Sequence, residues 1–186
     1  LFPYTTLFRS APFLKLGGCK YLLGQTVRQF WVPNKNKCVS KAALELWNKL
    51  EVGESIFGFW SGRAVVYKNR EPVEVEWYNG AHGTPYGKDP IFVSDKWGRF
   101  HFRSAFHVEH IIPINSILDK LMKLDLSQDK EIIYSEIDEI LKGIYECFML
   151  KKEDRALNQI GAKTKRPNKV EDVINQTYRK AGIEIA

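Results

Sequence analysis

The sequence predicts an α+β protein, and three observations carry that reading. Ser40 to Leu50, "SKAALELWNKL", spaces its apolar residues as an amphipathic helix does. Ser55 to Tyr78 is rich in Val, Phe, Tyr and Trp and is broken at Ser61-Gly62 and at Asn69 to Pro72, the punctuation of short strands and tight turns. The last third alternates short apolar runs with charged, helix-spaced ones.

In order, Ser40 is the N-cap of the first helix, Ala43, Leu44, Leu46, Trp47 and Leu50 are its apolar side, and Gly53 lies past its end. Three short strands are expected between Ser55 and Tyr78, followed by a loop from Asn79 to Pro90. "IFVSD", a "KWG" turn, "RFHFRSAF" and "HVEHIIPI" then read as another pair of strands. Asn115 to Leu124 is predicted helical, with Ile117, Leu118, Leu121, Met122 and Leu124 buried. Ser135-x-x-Asp138 has the form of a helix start, with the helix ending near Gly143. "IYECFML" is a strand, "KKEDRALNQ" a charged helix stopped by Gly161, and Val170 to Ala181 a last helix.

Leu1 to Ser10, "LFPYTTLFRS", looks like the in-frame translation of a common short-read sequencing adapter and is set apart from the fold. The first methionine is Met122, so the native N-terminus is expected to be missing. The rest divides into a mixed region, 11–95, and a second region, 96–186. With 44% apolar residues the chain can fill a core, yet no apolar run reaches the roughly 18 to 20 residues that span a bilayer, and no secretory leader is evident. Cys19, Cys38 and Cys147 are scattered and form no C-x-x-C pair, which argues against a disulfide framework or a cysteine zinc site and fits a reducing cytoplasm. A net charge of +6 favours an anionic partner such as nucleic acid.

The segment "HVEHIIPIN", His107 to Asn115, places two histidines and a glutamate where a buried strand prefers Val, Ile or Phe. As a zinc-protease motif it fails: "HVEH" is one residue short of H-x-x-E-H and lacks the H-E-x-x-H order. Glu109-His110-Ile111-Ile112-Pro113 resembles the first half of the HNH, or ββα-metal, nuclease motif, and "CFMLKKEDRALN", Cys147 to Asn158, is similar to its second strand and helix. The resemblance covers roughly Phe100 to Gly161. It departs from the family in a long helical insertion and in lacking the usual terminal histidine on the helix.

The resemblance implies a ββα-metal core within 96–186 and a metal-dependent endonuclease acting on DNA. Cutting a phosphodiester requires a base near neutral pH, and imidazole, with its unperturbed pKa of roughly 6.5, suits that role; His110 is the candidate. A divalent cation, Mg²⁺ or Mn²⁺, is expected to neutralise phosphate charge, with Glu109 as its first ligand. Asp154 and Asn158, four apart on one helix face, are alternative second ligands, with the charge favouring Asp154.

Strand alternation sends Glu109 and His110 to opposite faces, so the resemblance implies that they flank the metal and phosphate from two sides near the strand's end. By the same alternation His107 shares Glu109's face and is an alternative ligand. Lys163, Lys165 and Arg166 of "GAKTKRPNK", together with Arg103 and Arg155, are candidate phosphate contacts. A second reading stays open, a non-catalytic nucleic-acid-binding module whose strands present Trp60, Tyr67, Trp77 and Tyr78 to bases.

Overall fold

The structure, a computed structural model, describes residues 19–28, 32–75 and 97–186, and it is α+β. Helix α1 (Cys19–Arg28) leads through a 3₁₀ turn at Asn34–Asn36 into strand β1 (Lys37–Val39) and helix α2 (Lys41–Leu50). A 3₁₀ turn at Ile56–Gly58 precedes the antiparallel pair β2 (Ala64–Val66) and β3 (Arg99–His101). A single helical turn, α3 (Phe102–Ala105), then opens directly into β4 (Phe106–His110). Helices α4 (Ile114–Leu121) and α5 (Lys130–Lys142) intervene before β5 (Glu146–Leu150), which runs straight into α6 (Lys151–Gln159). Last comes α7 (Val170–Asp172), continued as a π-helical stretch at Val173–Tyr178.

Three strands form the central sheet in the order β1-β5-β4, with β5 antiparallel to β4 and parallel to β1. The sheet therefore joins a strand from the region before residue 95 to two strands after it. Cys38, Cys147, Met149, His107 and Glu109 share one face by register and alternation, while Lys37, Val39, Phe148, Phe106, Val108 and His110 share the other. Two cores follow that division. Cys147 and Met149 pack with Leu157, Ile117, Ile137 and Tyr178, whereas Phe106 and Phe148 pack with Trp47, Phe59 and Phe102.

Several helix ends show why the chain folds this way. Ser40 caps α2 by accepting from Ala43 N–H, and its hydroxyl also donates to the buried carboxylate of Glu153 at 2.6 Å. Glu153 in turn accepts from Leu150 N–H at 2.7 Å, so one acid ties the start of α6 to the start of α2. Helix α6 ends in a Schellman turn: Gly161, at φ 72°, and Ala162 donate to Asn158 and Leu157 carbonyls, and Ala162 joins Leu157 in the core.

Some sequence expectations need correction. The helix expected from Ser135 begins at Lys130, because Asp129 accepts from Glu131 N–H and supplies the cap; Ser135 is exposed in mid-helix. Its end at Gly143 is as read. Met122 lies past the end of α4 and is 37% exposed, while Leu124 is only partly buried. Between Ser55 and Val75 there is one strand, not three. Ser55 accepts from Phe57 N–H and turns the chain into a 3₁₀ helix, while Val73 and Val75 are buried without strand pairing. "RFHFRSAF" is broken at Phe102, where the backbone coils for one turn before β4. "IFVSD", the loop at 79–90, Trp77, Tyr78 and the adapter-like start lie outside the described residues. Among the described residues, no helix is long and apolar enough to cross a membrane.

The Ser40 link yields a prediction. Ser40→Ala removes a cap and strips one partner from a buried carboxylate, so it should lower the unfolding free energy in urea by about 2 kcal/mol. Ser135→Ala, in exposed mid-helix, should change it by no more than about 0.5 kcal/mol. Equal losses in the two variants would remove Ser40 from its capping role.

Candidate metal centre

Strand β4 is held in register by β5 along its whole length, with His107 opposite Met149, Glu109 opposite Cys147 and His110 opposite Glu146. Because α6 starts at the residue after β5, its first turn lies against β4. That geometry brings Asp154, in the first turn of α6, to the face that carries His107 and Glu109. His107 Nε2 lies 3.0 Å from Glu109 Oε2 and 3.7 Å from Asp154 Oδ1. One ligand atom from each of the three falls within 4.8 Å of the others, the spacing of a site that can close on a cation. Among the described residues this is the one group of three such side chains.

The charges around the group are arranged unevenly. Burial opposes ionisation of Glu109, but the hydrogen bond with His107 and the positive charge of Arg166 outweigh it and hold the carboxyl below its usual range. Burial likewise disfavours the His107 imidazolium, yet the Glu109 hydrogen bond and the Asp154 charge prevail and raise its pKa. His107 thus lies between the two carboxylates. A cation held there would be met by a neutral imidazole, the form in which histidine ligates metal.

One imidazole with two carboxylates is a mixed nitrogen and oxygen set. Such a set fits Mn²⁺ better than Mg²⁺, which prefers oxygen ligands alone.

Asn158, the alternative to Asp154, is exposed one turn further along α6. His107, the alternative ligand, is inside it. His110 is on the other face, its Nε2 3.9 Å from Glu146 Oε1. Burial, reinforced by the positive charges of Arg28, His107 and Arg166 and opposed by Glu109, lowers its pKa to about 4, so its ring is neutral at pH 7. Glu146 is shifted upward by burial.

The basic candidates separate into different places. Lys163 and Lys165 are exposed, and Arg155 and Arg103 are half-buried, with Arg103 on the His110 side of the sheet. Arg166 is turned inward. Its guanidinium is fully buried, sits 2.6 Å from Glu109 Oε1, and donates to the carbonyls of His110 and Ile111 at 3.0 and 3.3 Å and to that of Ala162. It is therefore a brace for the end of β4 and for Glu109, and a phosphate cannot reach it in this arrangement.

Sequence reasoning did not single out this brace, nor Glu146, nor the bond from Ser40 to Glu153. Glu146 left a signal in the sequence, an acid heading the otherwise apolar "ECFML". Nothing local distinguishes Arg166 from its lysine neighbours.

Together these features define a β-β-helix unit with a histidine-carboxylate group between β4 and the first turn of its helix. Comparison of the chain with protein-family models, with curated proteins and with solved structures gave no match.

Two outcomes are expected from this geometry. In calorimetric titration with Mn²⁺, Glu109→Gln and Asp154→Asn should each weaken binding at least about tenfold, whereas Asn158→Ala should stay within about twofold. Arg166→Ala leaves Glu109 buried without its partner and should cost about 3 kcal/mol in urea unfolding. Saturating Mn²⁺ should restore part of that loss, since the cation then neutralises the carboxylate. No recovery with Mn²⁺ would separate Arg166 from the metal group.

Proposed function

We propose that this chain is a metal-dependent, HNH-like endonuclease that hydrolyses phosphodiester bonds of DNA. The observation that carries the proposal is the meeting of His107, Glu109 and Asp154 between β4 and the first turn of α6. These are the elements in which the HNH-like resemblance of "EHIIP" and "CFMLKKEDRALN" lies. DNA as the nucleic acid comes from that resemblance, and the net charge of +6 agrees with a polyanionic partner.

In this reading His107, Glu109 and Asp154 hold a divalent ion, Mn²⁺ or Mg²⁺, whose chemistry is to neutralise charge on the phosphate and on the departing oxygen. Arg166 keeps Glu109 ionised and in place. His110 is assigned as the general base on the resemblance; it is neutral at pH 7, so its ring can accept a proton, but a pKa of about 4 makes it a weaker base than a free imidazole. Its place at the last position of β4 lets it act from the side opposite Glu109, as the resemblance implies. Arg103, Arg155, Lys163 and Lys165 are the candidates for backbone phosphates. The same reading puts the protein in the reducing cytoplasm, as the scattered cysteines favour.

The alternative, a binding module without catalysis, loses support at Tyr67, which is 3% exposed and belongs to the core. It keeps some at Trp60, which is 60% exposed.

Nicking of supercoiled plasmid separates the two. The full chain should nick in Mn²⁺ or Mg²⁺, stop in EDTA, and lose about a hundredfold or more in rate with either Glu109→Gln or His110→Ala. An intact plasmid under every metal, with DNA still bound, would leave the binding module. Equal cutting by His110→Ala would remove His110 as the base.

A further inference from the structure

The face of the sheet that carries His110 is not sealed. A cleft of about 620 Å³ opens there, within the range of roughly 300 to 1,000 Å³ typical of small-ligand sites. Its floor is aromatic, from Phe102, Phe106 and Phe148, and its walls carry Arg28, Lys37 and Arg103. Among the described residues the only acid lining it is Glu146. His107 and His110 both line the cleft, so it begins where the metal group ends.

Trp60 stands at the rim with 60% of its surface exposed, which is unusual for the largest apolar side chain. Its loop is held firmly. Arg63 donates to Gly58 O at 3.0 Å, pairs with Glu54 at 2.6 Å, and lies 4.0 Å from the Phe59 ring centre and 5.6 Å from that of Trp60. Trp47, buried below, donates to Glu54 O at 2.8 Å and fixes the same turn. An indole held in place at the mouth of a cationic cleft is a stacking surface for a planar, anionic ligand.

We propose that this cleft takes one unstacked nucleotide of a single-stranded DNA, with the base on Trp60 and its phosphates toward Arg28, Lys37 and Arg103. Duplex DNA turns its stacked bases inward and offers such a cleft only sugar and phosphate, so an unpaired strand is the better fit. Taken with the nuclease reading, on which this part rests, the nucleotide lies beside the scissile phosphate, and unpaired DNA is the preferred substrate class.

The test is fluorescence anisotropy with end-labelled thymidine oligonucleotides and a matched blunt duplex. EDTA is present so that binding is read without cutting, and the full chain is compared with Trp60→Ala. Trp60 is exposed, so the variant should fold, and a thermal melt verifies it. Single strands should bind about tenfold tighter than duplex, and Trp60→Ala should weaken single-strand binding about fivefold or more while leaving duplex binding within about twofold. Equal affinity for the two DNA forms, or a Trp60→Ala variant that binds single strands as well as the parent, overturns the cleft assignment. Metal-dependent nicking that persists alongside that failure leaves the nuclease reading intact. Single-strand preference with no cutting under any metal keeps the nucleotide in the cleft and removes the nuclease.

Discussion

The antiparallel register of β4 on β5 governs the rest of the molecule. With a side-chain period of two, it sends His107 and Glu109 to one face and His110 to the other, and a slip of one residue exchanges them. Several contacts lock that register. Phe106 and Val108 face the aromatic cluster, Ile111 N–H donates to Tyr145 O at 2.9 Å beyond the strand, and Pro113 follows where no further ladder bond is needed. Helix α6 inherits its position from the same pairing, since it begins at the residue after β5. The location of Asp154 is thus a consequence of strand register as much as of helix geometry.

Electrostatics then decide what the assembled group can do. Glu109 is largely buried, and a lone ionised carboxylate there is costly. Arg166 meets that cost from one side and His107 from the other, so the carboxylate stays charged where hydrophobic packing alone favours its neutral form. The arrangement leaves His107 facing two acids and His110 facing the cationic side of the sheet. Burial dominates at His110, whereas the two acids prevail over burial at His107, so imidazoles only three positions apart shift in opposite directions. Shifts of this kind, produced by burial combined with specific partners at one edge of a cleft, are typical of functional sites.

Much of the fold was legible because its signals are local. The Ser40 cap, the apolar side of α2 and the Gly161 stop each depend on a few neighbouring residues and are where the sequence puts them, and the strand expected over "IYECFML" forms over its last five residues, Glu146–Leu150. The start of α5 was misread because two residues able to cap a helix, Asp129 and Ser135, lie close together, and only the first accepts from an amide of the opening turn. The aromatic run after Ser55 was misread for a different reason. Its Phe and Val residues are needed as filling around Trp47 and need no ladder to be buried.

For the site, the sequence by itself determined which residue types were on offer: two imidazoles and a carboxylate on one short strand, with an acid and an amide four apart on a later helix. It also determined, through strand alternation, that His107 and Glu109 share a face. Only the tertiary structure decided that Asp154 comes within 3.7 Å of His107, because that depends on how α6 leaves β5. Only it decided that Arg166 turns inward to Glu109 while Lys163 and Lys165 stay outside. Both outcomes arise between residues distant along the chain, where burial and charge act through space and a local pattern carries no record of them.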